Sequence, residues 1–141
     1  MRTVKSMLKV MAVVILSLVC VLFAYALRRA PVFEEGIAYE FYRGTSSAEI
    51  VLSENPALTK LFAVDIRGES VRYAGDRYEE IAEEFKATLL FTESAAGITN
   101  YYLYTPMLER GVFLAGHEVN LHIAVGGGQT AAGTPLIFGG F

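Results

Sequence analysis

From Val10 to Leu27 the chain is apolar at every position except Ser17, with Tyr25 near the far end. No other stretch constrains the fold so strongly. Eighteen such residues make a membrane-segment candidate, near the lower limit for crossing a hydrocarbon core of about 30 Å. Arg2, Lys5 and Lys9 precede the run, and Arg28 and Arg29 follow it. These are the only cations before Pro31. From Ala30 onward there are seven Lys and Arg against fifteen Asp and Glu, a formal charge of −8. The flanking charges give a weak positive-inside bias. They fit an amino end in the cytoplasm and an acidic portion carried across the membrane.

Two readings of the segment stand. One is an uncleaved single-pass anchor, contacting the membrane through residues 10–27. The other is a secretory signal peptide cleaved after Ala26, since Ala24-Tyr25-Ala26 fits the A-x-A pattern. The run is long for a signal peptide, which favours the anchor. Cys20 does not make a lipoprotein site, because Val19 before it is not small and apolar sequence continues past it. It is the only cysteine, so the rest of the chain has no internal disulfide and is held by packing alone.

With 141 residues and a mean hydropathy of +0.39, there is room for one domain beyond the apolar run. The division expected is 1–29 for the cationic segment and anchor, and 30–141 for an extracytoplasmic α+β domain. Arg28 to Glu35 reads as a linker, with Pro31 discouraging helix continuation. Ala38–Tyr42 reads as a strand or short helix, and Ala48–Leu52 and Ser70–Tyr73 as short strands. Pro56 fits the first turn of a helix reaching Ala63. The clearest element is GDRYEEIAEEFKA. There Asp76 is expected as N-cap with Glu79 completing a capping box, and Lys86 near the far end. Tyr78, Ile81, Ala82 and Phe85 share one face. Four strands follow, at Thr88–Glu93, Ile98–Thr105, Val119–Val125 and Ala131–Phe138, with Gly111–Gly116 a connection holding a short apolar piece. The fold expected is an antiparallel sheet with the Asp76 helix on one face.

The histidines first look like a metal motif, but His117 and His122 are five apart, not four. On a helix they diverge by about 140°, and on a strand they take opposite faces. Neither grips one ion, so no metal is expected. His117 belongs in a turn and His122 on the less buried strand face. Gly126-Gly127-Gly128 lacks the lysine and following helix of a phosphate loop. It fits a four-residue hairpin loop, so no cofactor is expected. The pairs Glu34-Glu35, Glu79-Glu80 and Glu83-Glu84 read as solvated. No serine sits in a nucleophile elbow, and the expectation is a protein without enzymatic activity. Along Asn100–Tyr104 the residues Asn100, Tyr102 and Tyr104 share a face opposite Tyr101 and Leu103. Tyr102 and Tyr104 are the candidate protein contacts, against the plainer reading of cross-strand packing.

The carboxyl end, VNLHIAV and then AAGTPLIFGGF, resembles the YwmB-like family of exported proteins from Gram-positive spore formers. Asn120, Leu121, Ile123 and Ala124 carry the first part of the likeness. Gly133, Thr134, Pro135 and Ile137 carry the second, and Phe141 stands at an aromatic terminus. His122 replaces a glutamine. The likeness covers about the last third of the chain, and family members have a further amino-terminal region that is missing here. It implies a helix-on-sheet fold similar to the TATA-box-binding protein, an exported location, and no established activity. It does not imply DNA binding for this chain, because a portion at −8 repels phosphates. Pro135, lacking an amide donor, should face an edge or a bulge that Gly133 permits. The alternative for Gly133-Thr134-Pro135 is a peptide-docking notch. The reading that follows is a membrane-anchored, non-enzymatic binding domain for another envelope or sporulation-associated protein. The alternatives are a small-ligand sensor or unrecognised enzyme, and a structural subunit of a membrane complex.

Overall fold

The structure is a computed structural model, and it describes residues 2–44 and 49–140. The expected strand start at Ala48 and the terminal Phe141 lie outside the described residues. The chain divides into two compact units, residues 1–30 and 31–141. The first contains α1, Arg2–Arg28. From Thr3 to Arg28 it is long and apolar enough to cross a membrane or to serve as a signal sequence. Cys20 is exposed on it.

The second unit is α+β. Its strands are β1 (Ala38–Arg43), β2 (Glu49–Ser53), β3 (Ile66–Ala74), β4 (Thr88–Ala95) and β5 (Ile98–Tyr104), then β6 (Val112–Leu114), β7 (His117–Val119), β8 (Leu121–Gly126) and β9 (Gln129–Thr134). Two short helices, α2 (Pro56–Phe62) and α3 (Tyr78–Glu84), interrupt them. Seven strands form one antiparallel sheet in the order β2-β1-β3-β9-β8-β5-β4, and β6 and β7 form a separate ribbon.

Alternation decides which side chains meet the helix. Val71, Leu103, Leu121, Ile123 and Ala132 point to one face, where Ile81 and Phe85 of α3 join them in the core. Tyr78 and Ala82 pack against that cluster, so the expected helix face is the buried one. Tyr78 also stacks on Tyr101, with centroids 3.9 Å apart. Phe33 was expected in a linker. It is instead 2% exposed and packs edge-on against Phe85 at 5.6 Å. Val32 and Phe33 are too short an apolar pair to show a periodicity that would betray their burial.

The start of α3 also differs from expectation. The cap position is Arg77, with no side-chain cap bond. Asp76 Oδ1 accepts from Tyr78 N–H at 3.0 Å, one residue early for a capping box. The tie that fixes the helix is tertiary: Arg77 N–H donates to buried Thr130 Oγ1, which donates to the Gly75 carbonyl. Lys86 lies beyond the helix in the left-handed region, at φ 48°. At α2 the local signals hold. Pro56 begins the helix, and Asn55 Oδ1 accepts from Leu58 N–H.

The glycine run makes a hairpin with a shorter loop than expected. Only Gly127 and Gly128 lie outside the strands, both at positive φ, as a two-residue type I′ turn requires. Ala96-Gly97 and Ala115-Gly116 repeat that geometry. The expected strand Val119–Val125 is broken at Asn120. This side chain is 1% exposed. Its Oδ1 accepts from Thr105 N–H at 2.8 Å, and its Nδ2 donates to the carbonyls of Thr105 (2.7 Å) and Glu109 (3.2 Å). One amide thus replaces a strand pair where β5 ends, and Leu121 beside it is fully buried in the core. Asn120→Ala leaves the buried N–H and carbonyl of Thr105 without these partners, at about 1–3 kcal/mol for such a group, and frees the Glu109 carbonyl as well. We predict a loss of about 2–4 kcal/mol in denaturant unfolding followed by near-UV circular dichroism. A loss below about 0.5 kcal/mol would refute this role.

Candidate functional site

The face opposite α3 carries the aromatic residues that the sequence singled out. Register places Asn100, Tyr102, His122 and Phe91 there, because Tyr102 pairs with both His122 and Phe91. Their rings form a row. His122 stacks on Tyr102 at 4.6 Å and Tyr102 on Phe91 at 4.5 Å, with His117 beyond Phe91 at 6.1 Å. Tyr102 Oη donates to Glu93 Oε2 at 3.1 Å. Burial first, and then this carboxylate, raises the Tyr102 pKa. Tyr102 is half-buried within the row, while Tyr104 at the strand end is 39% exposed. Cross-strand packing therefore accounts for Tyr102, and Tyr104 offers the free surface.

The histidines do not take opposite sides. The break at Asn120 upsets the strand alternation, and both rings flank the same row, separated by Tyr102 and Phe91. His117 opens β7 beside the Ala115-Gly116 turn and is exposed. His122 is buried, against expectation, because residues 135–140 fold back over it. This terminal segment also corrects the expected last strand. β9 stops at Thr134, the Thr134–Pro135 peptide is cis, and Pro135 lies beyond the ladder. β9 is a central strand, and Gly133 pairs regularly with Ser70 and His122. Its role is close approach, not a bulge: a Cβ there would meet the Leu136 carbonyl oxygen at 2.6 Å. The segment then stacks Phe138 on Tyr42 at 4.2 Å, and the Gly140 carbonyl accepts from Arg72.

The His122 ring is satisfied on both sides. Ile137 N–H donates to Nδ1 at 3.2 Å, so Nε2 carries the proton and donates to Asn100 Oδ1 at 3.0 Å. Burial pushes its pKa down to about 4.

A second concavity lies on the helix side. Glu34, Glu35, Tyr73, Arg77, Glu80, Ile81 and Glu84 line an open cleft of about 130 Å³. The sequence pairs read as solvated therefore contribute members to one cleft. No spacing signal could reveal this, since the residues come from three separate segments. Tyr73 Oη donates to the Glu34 carbonyl at 3.1 Å, and burial raises its pKa. Arg77 holds Glu80 in a two-pronged contact at 2.6 and 2.7 Å. Among the described residues no group of three His, Cys, Asp or Glu is placed to hold a metal ion.

Comparison with protein-family models, curated proteins and solved structures finds no match to this chain.

The low pKa of His122 has a defined sign. In the fold the ring stays neutral down to about pH 4, whereas in the unfolded chain it takes a proton near 6.5. Its contribution is full above pH 6.5 and is lost as pH falls from 6.5 to 4, by about 3 kcal/mol at most. We predict that the stability difference between the native protein and His122→Gln shrinks across this window in unfolding titrations. A difference independent of pH would show that His122 is not held neutral.

Proposed function

We propose that this chain is a membrane-anchored, non-enzymatic binding domain. Residues 10–27 lie in the bilayer, the amino end is cytoplasmic, and residues 30–141 are outside. The observation that supports anchoring most directly is that α1 is a 27-residue helix with no part of its apolar candidate span buried. The five flanking cations and the −8 of the remainder support the orientation. The contact surface proposed is the end of the aromatic face, with Tyr104 as the accessible member and Tyr102 as its packed neighbour. The partner proposed is another envelope protein. Its association with sporulation rests on the YwmB-like resemblance at Asn120, Leu121, Gly133, Thr134 and Pro135 alone. Nucleic acid is not proposed as a partner, since phosphates would meet net negative charge.

The sensor reading draws on the acidic cleft. At about 130 Å³ it falls well short of the roughly 300–1,000 Å³ of small-molecule sites, and Arg77 already occupies one of its carboxylates. Binding of a protein is therefore the stronger reading.

Two outcomes are expected. The intact mass of protein tagged after Phe141 should be full-length and confined to washed membranes. A mass beginning at Leu27 in the external fraction would remove the anchor. Tyr104→Ala, and Tyr102→Ala with near-UV circular dichroism unchanged, should each reduce recovery of co-purifying envelope protein by at least about fivefold. Undiminished recovery from both variants would remove this surface.

A further inference from the structure

The two edges of the large sheet are built differently. β4 closes one side, and its pairing with β5 is interrupted by a register shift between Leu89 and Phe91. Both edges carry one glutamate, Glu93 on β4 and Glu49 on β2, so the charge does not separate them. The bulge does, because it blunts an edge against further pairing. β2 closes the other side. It pairs with β1 in unbroken register from Tyr39↔Ser53 to Arg43↔Glu49, and no described strand pairs its outer side. Its sequence, Glu49-Ile50-Val51-Leu52-Ser53, contains no lysine and no proline. Ile50 is 43% and Leu52 75% exposed, and alternation puts both on the face opposite α3. Ile50 adjoins Tyr42 and Phe138 in a shallow notch, so the apolar surface continues inward from the edge.

We infer that β2 is an interface for a second copy of this chain, pairing antiparallel with its counterpart about a two-fold axis at Val51. The strand is complementary to itself. Two-fold pairing in one continuous sheet matches residues of equal parity, and only the register centred on Val51 overlaps all five residues. In that register Ile50 lies opposite Leu52 of the second copy, and Leu52 opposite its Ile50. This joins four exposed apolar side chains on one face. Such cross-strand pairs contribute roughly 0.2–1 kcal/mol each. Glu49 falls opposite Ser53 and never opposite another Glu49, so no like charges meet. Glu49 keeps its own-chain partner Arg43, at 3.5 Å. An unrelated partner strand would not require this internal matching. Anchoring, which is the reading proposed above, adds a further condition. Copies held in one membrane present the same edge at the same height, and this raises their effective concentration.

The test is position-specific cross-linking of the full chain in its native membranes. The background is Cys20→Ser, which leaves no thiol. In the proposed register the two Val51 Cα atoms lie about 4.5–5.5 Å apart, within the range a disulfide spans. Residues 52 and 52 are offset by two positions, roughly 8 Å apart by strand geometry, and cannot be bridged without movement. Under a mild oxidant, Val51→Cys should give a dimer at least about fivefold above Leu52→Cys, Ser53→Cys or the exposed control Arg67→Cys. Ile50→Cys combined with Leu52→Cys should also cross-link. Leu52→Glu, a solvent-facing change that spares the core, should reduce the Val51→Cys dimer severalfold. Equal yields at all positions would mean random collision and would overturn the proposal. So would no dimer from Val51→Cys with near-UV circular dichroism unchanged, or an adduct with a different protein. Fractionation of the same samples reads the anchor separately: membrane-bound protein without the dimer removes the interface and leaves the anchor standing.

Discussion

The two inner strands of the sheet are buried on both faces, and the rest of the domain is arranged to cover them. On one side Leu121, Ile123 and Ala132 are fully buried, and on the other Ala124, Ala131 and His122 are nearly so. Seven strands at about 4.8 Å spacing span nearly 30 Å between the outermost pair. A seven-residue helix is only about 10 Å long. α3 therefore cannot cover its face alone, and the Phe33 segment extends the cover. Burying each large apolar side chain is worth about 1.5–3 kcal/mol, so Phe33, Ile81 and Phe85 supply much of what fixes the helix. On the opposite face residues 135–140 provide cover, with Ile137 N–H donating to His122.

This arrangement explains how a histidine comes to sit where an apolar residue is the cheaper occupant. The terminal segment carries backbone N–H groups that cannot join the ladder. A buried donor without a partner costs about 1–3 kcal/mol. His122 accepts from one of them, Ile137 N–H, while Asn100 accepts from the opposite nitrogen. The ring can fill both roles only as the neutral tautomer, since a second proton would face the Ile137 donor. The same logic applies on the sheet's other flank. Glu69 is buried yet accepts from Val32 N–H and pairs with Lys60. It thereby holds the incoming chain and α2 against the sheet.

Local signals in the sequence carried the elements, and long-range contacts carried the exceptions. Period-3.6 spacing identified the buried side of α3, because Tyr78, Ile81, Ala82 and Phe85 all face one surface. Alternation sorted Tyr101 and Leu103 from Tyr102, and glycines marked the hairpin. What stayed illegible depended on residues far apart in the chain. Phe33 looks like linker until Phe85 lies beside it. His122 looks solvated until the terminus folds over it. Asp76 and Glu79 form a plausible box until Thr130 displaces the cap to Arg77. The aromatic face was legible as a row of residues, but its division into a packed Tyr102 and an accessible Tyr104 follows from Phe91 and His122 on adjoining strands. The acidic cleft left no sequence trace.

The contrast between the two units bears on how weak an interaction can matter. A domain of this size is typically stable by about 5–15 kcal/mol, assembled from many small terms. The apolar run of α1 exposes far more than that to water: at roughly 0.8 kcal/mol per buried CH₂, its valines and leucines alone amount to tens of kcal/mol. Under the anchoring proposed above, α1 and not the domain's binding surfaces sets where the chain resides. A domain anchored in that way would meet a partner within a thin layer, where tethering replaces part of the affinity that free association demands. A single exposed tyrosine at one end of the sheet and a five-residue edge at the other are small surfaces by the standard of soluble complexes, which bury about 1,600 Å². For a domain tethered at a membrane, as proposed, surfaces of that size would be enough for reversible contact.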